Sequence, residues 1–243
     1  MIPVASLPLK GLSRFQRRLH FPLLMIKKVA EVGFPTYWAE FRLMAFEGFE
    51  QREGSKRRET LLALVLGDVQ RTLPIVRIHS QCATGDVFHS LRCDCHDQLH
   101  LALESIANYG TGALVYEHQE GRGIGLIEKL RAYELQDQGL DTIEANLKLG
   151  HPVDLRNYAL PVEVLRALGI RSVQLLTNNP EKIAAVRAGG IEIVRRLSAD
   201  VPDNPHSARY LSTKRLKLGH LSNAPIDMHD GVASRARCRS APR

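Results

Sequence analysis

Apolar and polar residues change period along the chain, and the changes mark out its elements. Ala39–Glu47 and Thr60–Leu66 read as strands, with the charged Gln51–Arg58 as the turn between them. Ile75–His79 is a third short β segment. After Cys82 the chain turns Gly-rich and polar, and His96–Tyr109 then sets Leu99, Leu103, Ile106 and Ala107 on one helical face. Ala113–Tyr116 reads as a buried strand, followed by a glycine loop and a second helix at Leu126–Gln138. Val162–Leu168, Val173–Leu176, Glu181–Ala188 and Ile191–Val194 continue as helix, strand, helix and strand, and a basic helix runs roughly from Ser207 to Gly219. No internal repeat interrupts this order. The alternation predicts one α/β (α+β) domain, a mixed sheet with flanking helices.

The two ends differ in texture from this body. Residues 1–24 mix Pro, Arg and short apolar runs without a period, and Phe21–Met25 is too short, with the wrong flanks, for a signal-peptide core. Residues 1–24 are therefore expected to be an extension, disordered or upstream of a true start at Met25, with 25–221 as the folded domain and 222–243 as a disordered basic tail. No second domain is expected ahead of Met25, since twenty-four residues are too few to fold as one.

Charge follows the same division. Of the net +7, Lys10, Arg14, Arg17 and Arg18 give the first 24 residues +4; four arginines against Asp227 and Asp230 give the last 22 residues +2. The body carries only +1 and no aromatic stacking platform, so the basic pI does not argue for a nucleic-acid partner. No apolar run reaches the ~18 residues of a membrane span. The four cysteines do not have the spacing of a disulfide scaffold, so a reducing, cytoplasmic compartment is expected.

Three of those cysteines, Cys82, Cys93 and Cys95, form C-x10-C-x-C. Thiolates are ligands that zinc prefers, and three from one segment leave a fourth position open, as a catalytic zinc requires. Cys95 also begins a helix, whose positive end favours the thiolate. Two other readings stay open here: buried core cysteines, or a structural site closed by His79, His89 or His96.

Three further segments have the makings of anion sites. Glu117–Gly125 lies between a strand and a helix, where Gly121, Gly123 and Gly125 let backbone N–H groups approach an anion and Arg122 adds a forked donor. In Thr177–Lys182, Asn179 suits a helix N-cap and Pro180 the first helical position. Lys182 then falls in the first turn, where the helix dipole disfavours a cation unless a phosphate docks there; a solvated lysine beside Glu181 explains it equally well. Asp154 and Arg156, two residues apart, form either a surface ion pair or a general base with a phosphoryl-binding arginine.

Taken in order, these segments resemble GTP cyclohydrolase II. The resemblance spans about Met25 to Leu221. It rests on Arg77-Ile-His-Ser-Gln-Cys-Ala-Thr-Gly-Asp86, Ser90-Leu-Arg-Cys-Asp-Cys95, Gln119-Glu-Gly-Arg-Gly-Ile-Gly-Leu126, Arg131 to Gly139, Asp154-x-Arg156-x-Tyr158, Leu175-Leu-Thr-Asn-Asn-Pro180, and Thr213-Lys214 through Gly219-His220. It implies a zinc hydrolase that opens the guanine imidazole of GTP, releases formate and pyrophosphate, and begins riboflavin biosynthesis. On this chain Cys82, Cys93 and Cys95 would hold zinc, whose activated water would attack guanine C8. Arg77, Ile78, His79, Ser80, Gln81, Gln98, Glu120, Gly121, Arg122, Thr142, Thr177 and Lys182 would bind GTP. Asp154 would accept a proton, Arg156 would act on the α-phosphorus as nucleophile or as an electrostatic clamp, and Tyr133 would lie near the opening ring. Mg²⁺ would accompany the triphosphate, and a homodimer is the family's usual state.

Three residues depart from the family's pattern. Gln81 stands where Glu is frequent, His96 where Gly is usual, and His118 where Arg usually precedes Gln-Glu-Gly-Arg. Their clustering raises two alternatives, a paralogue with an altered product or pathway, and a zinc-containing GTP-binding module without turnover, in which His96 closes the metal site or Gln81 spoils catalysis.

Overall fold

The structure, a computed structural model, describes residues 23–52, 55–202 and 204–221. Its sheet has seven strands in the order β1-β2-β3-β5-β4-β6-β7. β1 (Leu23–Pro35), β2 (Glu40–Arg52) and β3 (Ser55–Leu66) form an antiparallel meander. β3 joins antiparallel to β5 (Gly112–Glu117), which begins a parallel half with β4 (Ile75–Ser80), β6 (Ser172–Leu176) and β7 (Glu192–Leu197). The mixed α/β sheet is the one the alternation predicts.

Helices cover both faces. α1 (Cys95–Tyr109) follows β4 and sets Ala102, Leu103 and Ile106 against Phe41, Ile75, Leu114 and Leu176. α4 (Ala159–Ala167) precedes β6 and α5 (Pro180–Ala188) follows it; both lie on the opposite face, against Val76, Ile78, Val115, Val173 and Leu175. β4, β5 and β6 are thus buried on both faces, which is why they are short apolar runs in sequence, whereas β7 at the sheet edge keeps exposed charged positions. α2 (Leu126–Asp137), α3 (Thr142–Lys148) and α6 (Ala208–Leu218) complete the chain.

Several boundaries differ from the sequence reading. The β2–β3 ladder runs through the expected turn at Gln51–Arg58 to an Arg52–Ser55 pair, with Glu47 ion-paired to Arg58 on the way. Opposite charges across the ladder stabilise what looked like a polar turn. β1 had no counterpart in the sequence reading. It is an edge strand whose register shifts between Lys28 and Ala30, breaking its alternation, and Met25, Val29 and Val32 are exposed. α3 was also missed, although its Asp141–Glu144 capping box is written in the sequence. α4 begins three residues early, because Pro161 falls in the first turn, where its missing N–H costs nothing. The expected extension and tail lie outside the described residues, except that Leu23 and Leu24 open β1.

Topology then fixes where a ligand can bind. From β4 the chain crosses by α1 to β5 on one side; from β6 it crosses by α5 to β7 on the other. The connections diverge between adjacent strands β4 and β6, and in open α/β sheets the crevice at the carboxyl ends beside such a divergence is the binding position. Among the described residues no helix is long and apolar enough to cross a membrane.

Candidate active site

The chain leaves β4 at Ser80 and enters a single π-helical turn, Ala83–Val87, a distortion frequent at functional sites. Asp86 within the turn ties it down. Its carboxylate accepts the Cys82 N–H at 2.9 Å and the Tyr116 hydroxyl at 2.8 Å, and lies 3.1 Å from His79 Nε2. The turn brings Cys82 beside Cys93 and Cys95, with all three sulfurs within 4.8 Å of one another. Cys82 and Cys93 Sγ are 3.7 Å apart. Tetrahedral Zn–S bonds of ~2.3 Å place sulfurs ~3.8 Å apart, so the trio fits a metal ion of that kind. A second observation agrees. A Cβ on Gly85 would stand 3.0 Å from Cys95 Cβ, 3.1 Å from Cys93 Sγ and 3.2 Å from Cys82 Sγ, so only glycine leaves the cradle clear.

Neither core packing nor closure by a histidine describes this cluster. The sulfurs face an open cavity lined also by Lys129 and Tyr133. No histidine nitrogen joins the three sulfurs within the 4.8 Å that defines the group, among the described residues. His79 is engaged with Asp86, and His96 stacks between His89 and His100 with ring centroids 3.8 and 4.0 Å away. Lys129, which the sequence reading missed, reaches the cluster from α2. Its ammonium lies 3.1 Å from Cys82 Sγ and 2.8 Å from Glu120 Oε1. Burial alone would lower this lysine, but Tyr133, the Cys82 sulfur and Glu120 together hold it above its ordinary value.

A second cavity opens at the carboxyl ends of β4 and β6. Arg77, Arg122, Arg156, Lys182 and Lys214 all line it. Lys182 is buried, so the solvated reading beside Glu181 does not hold; its Nζ donates to the Ile78 carbonyl at 2.9 Å. Burial, then the charges of Arg77 and Arg156, push this ammonium well below its ordinary value. Asn179 caps α5 as expected, accepting the Glu181 N–H at 2.8 Å. Arg77 donates to the Leu176 carbonyl at 3.1 Å and to Gln98, which in turn donates to Asp94. Lys214, a motif residue with no assigned role in the sequence reading, pairs with Asp94 at 2.7 Å.

Arg122 gives the clearest sign of a missing ligand. Its backbone is left-handed (φ 60°), a conformation that a bulky residue adopts only at a cost. Both Nη atoms are buried without a hydrogen-bond partner. An unpaired buried guanidinium is costly, and a bound anion would relieve it.

Asp154 and Arg156 are not a surface pair. Their side chains are 15% and 13% exposed, and the contact is bidentate, with Arg156 Nε 3.0 Å from Asp154 Oδ1 and Nη2 on Oδ2. Burial would raise the Asp154 carboxyl, but the hydrogen bonds and charge of Arg156 hold it below its ordinary value. Burial likewise opposes charge on Arg156, and Tyr158 and Asp154 outweigh it, so the guanidinium is held above its ordinary range.

The other expected residues are distributed unevenly. Ser80, Gln81, Glu120, Gly121, Arg122, Tyr133 and Thr142 line the cysteine cavity, while Gln98 and Thr177 line the cationic one. Ile78 points into the core and offers only its carbonyl, already taken by Lys182. His79 is buried in contact with Asp86, and burial lowers its pKa. Two of the three departures prove to be one feature, because His118 Nδ1 lies 3.0 Å from Gln81 Oε1. The two side chains form one hydrogen-bonded pair at the rim of the cysteine cavity.

The GTP cyclohydrolase II family model matches residues 27–198. The GTP cyclohydrolase-2 of Histophilus somni (strain 2336) is 49% identical over 196 residues, covering 80% of this chain and 88% of that protein. That of Proteus mirabilis is 48% identical over 199 residues, covering 82% and 97%. The riboflavin biosynthesis protein RibBA of Chlorobium phaeovibrioides is 47% identical over 214 residues, 88% of this chain but 50% of its own length, so the chain spans about half of such relatives. With the cysteine trio and the strand-end loops lying inside the matched span, the chain belongs to the GTP cyclohydrolase II family.

Proposed function

We propose that this protein hydrolyses GTP, opening the guanine imidazole ring with release of formate and pyrophosphate. The product would be 2,5-diamino-6-(5-phosphoribosylamino)pyrimidin-4(3H)-one, at the first step of riboflavin biosynthesis. One observation carries the reading: the thiolate cavity and the cationic cavity share Ser80, Cys95, Arg122, Arg156 and Tyr210 as walls. A nucleoside triphosphate spanning both would present its base to the sulfurs and its phosphates to the cations. Zinc on Cys82, Cys93 and Cys95 would supply an activated water for attack at C8.

The chain's own residues do the rest. Arg77, Arg122, Lys182 and Lys214 supply positive charge for the phosphates, with Mg²⁺ accompanying them, and the free Nη atoms of Arg122 are available to phosphoryl oxygens. Arg156 acts as an electrostatic clamp on the α-phosphoryl group rather than as a nucleophile, because its Asp154 partner strengthens its hold on its proton. Asp154 orients that clamp; to accept a proton it would have to give up bonds to Arg156. Tyr133 and the Lys129–Glu120 pair stand on the sulfur side, near the ring that opens. The reading includes residues 25–221 as the catalytic domain, a homodimer and a cytoplasmic setting. A binding module without turnover has less support: it needs His96 as a closing ligand, whose ring stacks on His89 and His100, or Gln81 to spoil catalysis, although Asp154, Arg156 and Tyr133 are all in place around the two cavities.

The test is to incubate zinc-loaded protein with GTP and Mg²⁺, following formate, pyrophosphate and the product's ultraviolet spectrum. The expected result is one formate and one pyrophosphate per GTP with a diaminopyrimidine spectrum. Pyrophosphate without formate would overturn the ring-opening half, and GTP binding without either product would overturn both.

A further inference from the structure

Three imidazoles gather on the outer side of the segment that carries the cysteines, and no step of the proposed reaction uses them. His96 and His100 lie one turn apart on α1, and His89 reaches over from the loop before it. The His89 and His96 ring centroids are 3.8 Å apart, and those of His96 and His100 are 4.0 Å apart. His89 is held there by a left-handed backbone (φ 52°), one of two such non-glycine residues among those described; Arg122 is the other. Strain of this kind persists where the surroundings over-determine a position, and it gathers at ligand sites. The Nδ1 of His96 is buried and has no hydrogen-bond partner. Trp38 packs edge-on to His100 with centroids 5.0 Å apart, walling one side.

We propose that His89, His96 and His100 form a second metal site, separate from the three thiolates, for a borderline divalent transition ion of the Zn²⁺ or Ni²⁺ type. Two histidines at i and i+4 on one helix are the spacing at which neighbouring rings reach one ion, and His89 adds a third imidazole from the flanking loop. An all-imidazole donor set suits zinc, nickel and copper and excludes calcium and magnesium, which demand oxygen. Burial, then the neighbouring His96 and His89, lowers the His100 pKa, which keeps a lone pair available for a metal. The rings now stack, and their nitrogens do not converge as the three sulfurs do. Binding therefore turns them about their broad terminal torsions, a motion open to the exposed His89 and His100. Because His89 lies between Cys82 and Cys93 in the chain and His96 follows Cys95, an ion here would brace the segment that presents the thiolates.

The experiment uses the zinc-loaded protein, dialysed against micromolar Ni²⁺, with both metals counted per chain. The expected result is one zinc retained and one nickel added. His89→Ala and His100→Ala should each weaken nickel binding at least as much as loss of an outer-shell partner does, on the order of 10- to 100-fold. The double variant should hold no nickel and keep its zinc, which also reports that the fold survives. The proposal is overturned if no nickel is added, if nickel replaces zinc instead of joining it, or if the double variant binds nickel like the unaltered protein.

Discussion

A single methyl group tests the geometry of the thiolate cradle. In Gly85→Ala the new Cβ meets Cys95 Cβ at 3.0 Å, Cys93 Sγ at 3.1 Å and Cys82 Sγ at 3.2 Å, inside the ~3.5–4.0 Å of an ordinary contact. The three neighbours converge from different parts of the segment, so relieving one contact tightens another unless the sulfurs spread. The backbone at Gly85 is not left-handed, so alanine is tolerated conformationally, and the stiffer unfolded chain favours folding by about 0.4–1 kcal/mol. Overpacking costs about 1–3 kcal/mol, and it is felt mainly when a metal fixes the sulfurs in place. Zinc affinity should therefore fall about 5- to 150-fold, while the metal-free protein melts at nearly the same temperature. Competition against a chromophoric chelator measures the zinc Kd, and a thermal melt in excess chelator measures the rest. A variant that binds zinc within twofold of the parent would mean that the sulfurs do not converge on Gly85, and the argument for the metal position would fail.

Other substitutions probe the anion side. Asp154→Asn leaves a largely buried guanidinium without its charged partner and should cost about 3 kcal/mol of stability at neutral pH, read by urea denaturation. Because the Asp154 carboxyl is held below its ordinary value, its contribution is complete above pH ~4 and is lost as pH falls through the folded-state pKa. The variant should lack that part of the acid limb. Lys182→Met removes a buried cation and should raise the stability of ligand-free protein by about 1 kcal/mol while weakening GTP binding at least about tenfold, in a melt and a titration respectively. Since the Lys182 ammonium is held below its ordinary value, the parent gains stability as pH rises toward ~10.4, and the variant should not show that gain. A cycle of Gln81→Ala, His118→Ala and the double variant, read as GTP KM, should show a coupling of about 0.5–1.5 kcal/mol for their hydrogen bond. Additive effects would mean that the two departures are independent.

The legible parts of this protein share a cause. The Asn179–Pro180 helix start, the helix beginning at Cys95 and the C-x10-C-x-C spacing all depend on residues close in the chain, where backbone preference and ligand spacing act directly. Where neighbouring strands decide, the reading failed. β1 is stable because β2 pairs with its whole length, across a register shift that hides its alternation. The hairpin at the far end of β2 and β3 persists through a charged stretch because opposite charges face each other on the ladder.

The sequence by itself determined the family, the order of the strands and helices other than β1 and α3, and the donor types: three thiolates, and several arginines and lysines next to glycine-rich turns. What those side chains do was decided by the tertiary structure. Parallel pairing of β4 with β5 and β6 brings the residues after each strand to one end of the sheet, although the strand ends at Ser80, Glu117 and Leu176 are far apart in the chain. Burial at that end turns Lys182 from a solvated lysine into a buried cation, and makes Asp154 and Arg156 a bidentate pair. It also leaves Arg122 with unpaired donors and sets Gln81 against His118. Periodicity reports which face of an element is apolar; it carries no information about which distant loop faces that element across a crevice, and solvent exclusion there sets the charges on which the proposed chemistry depends.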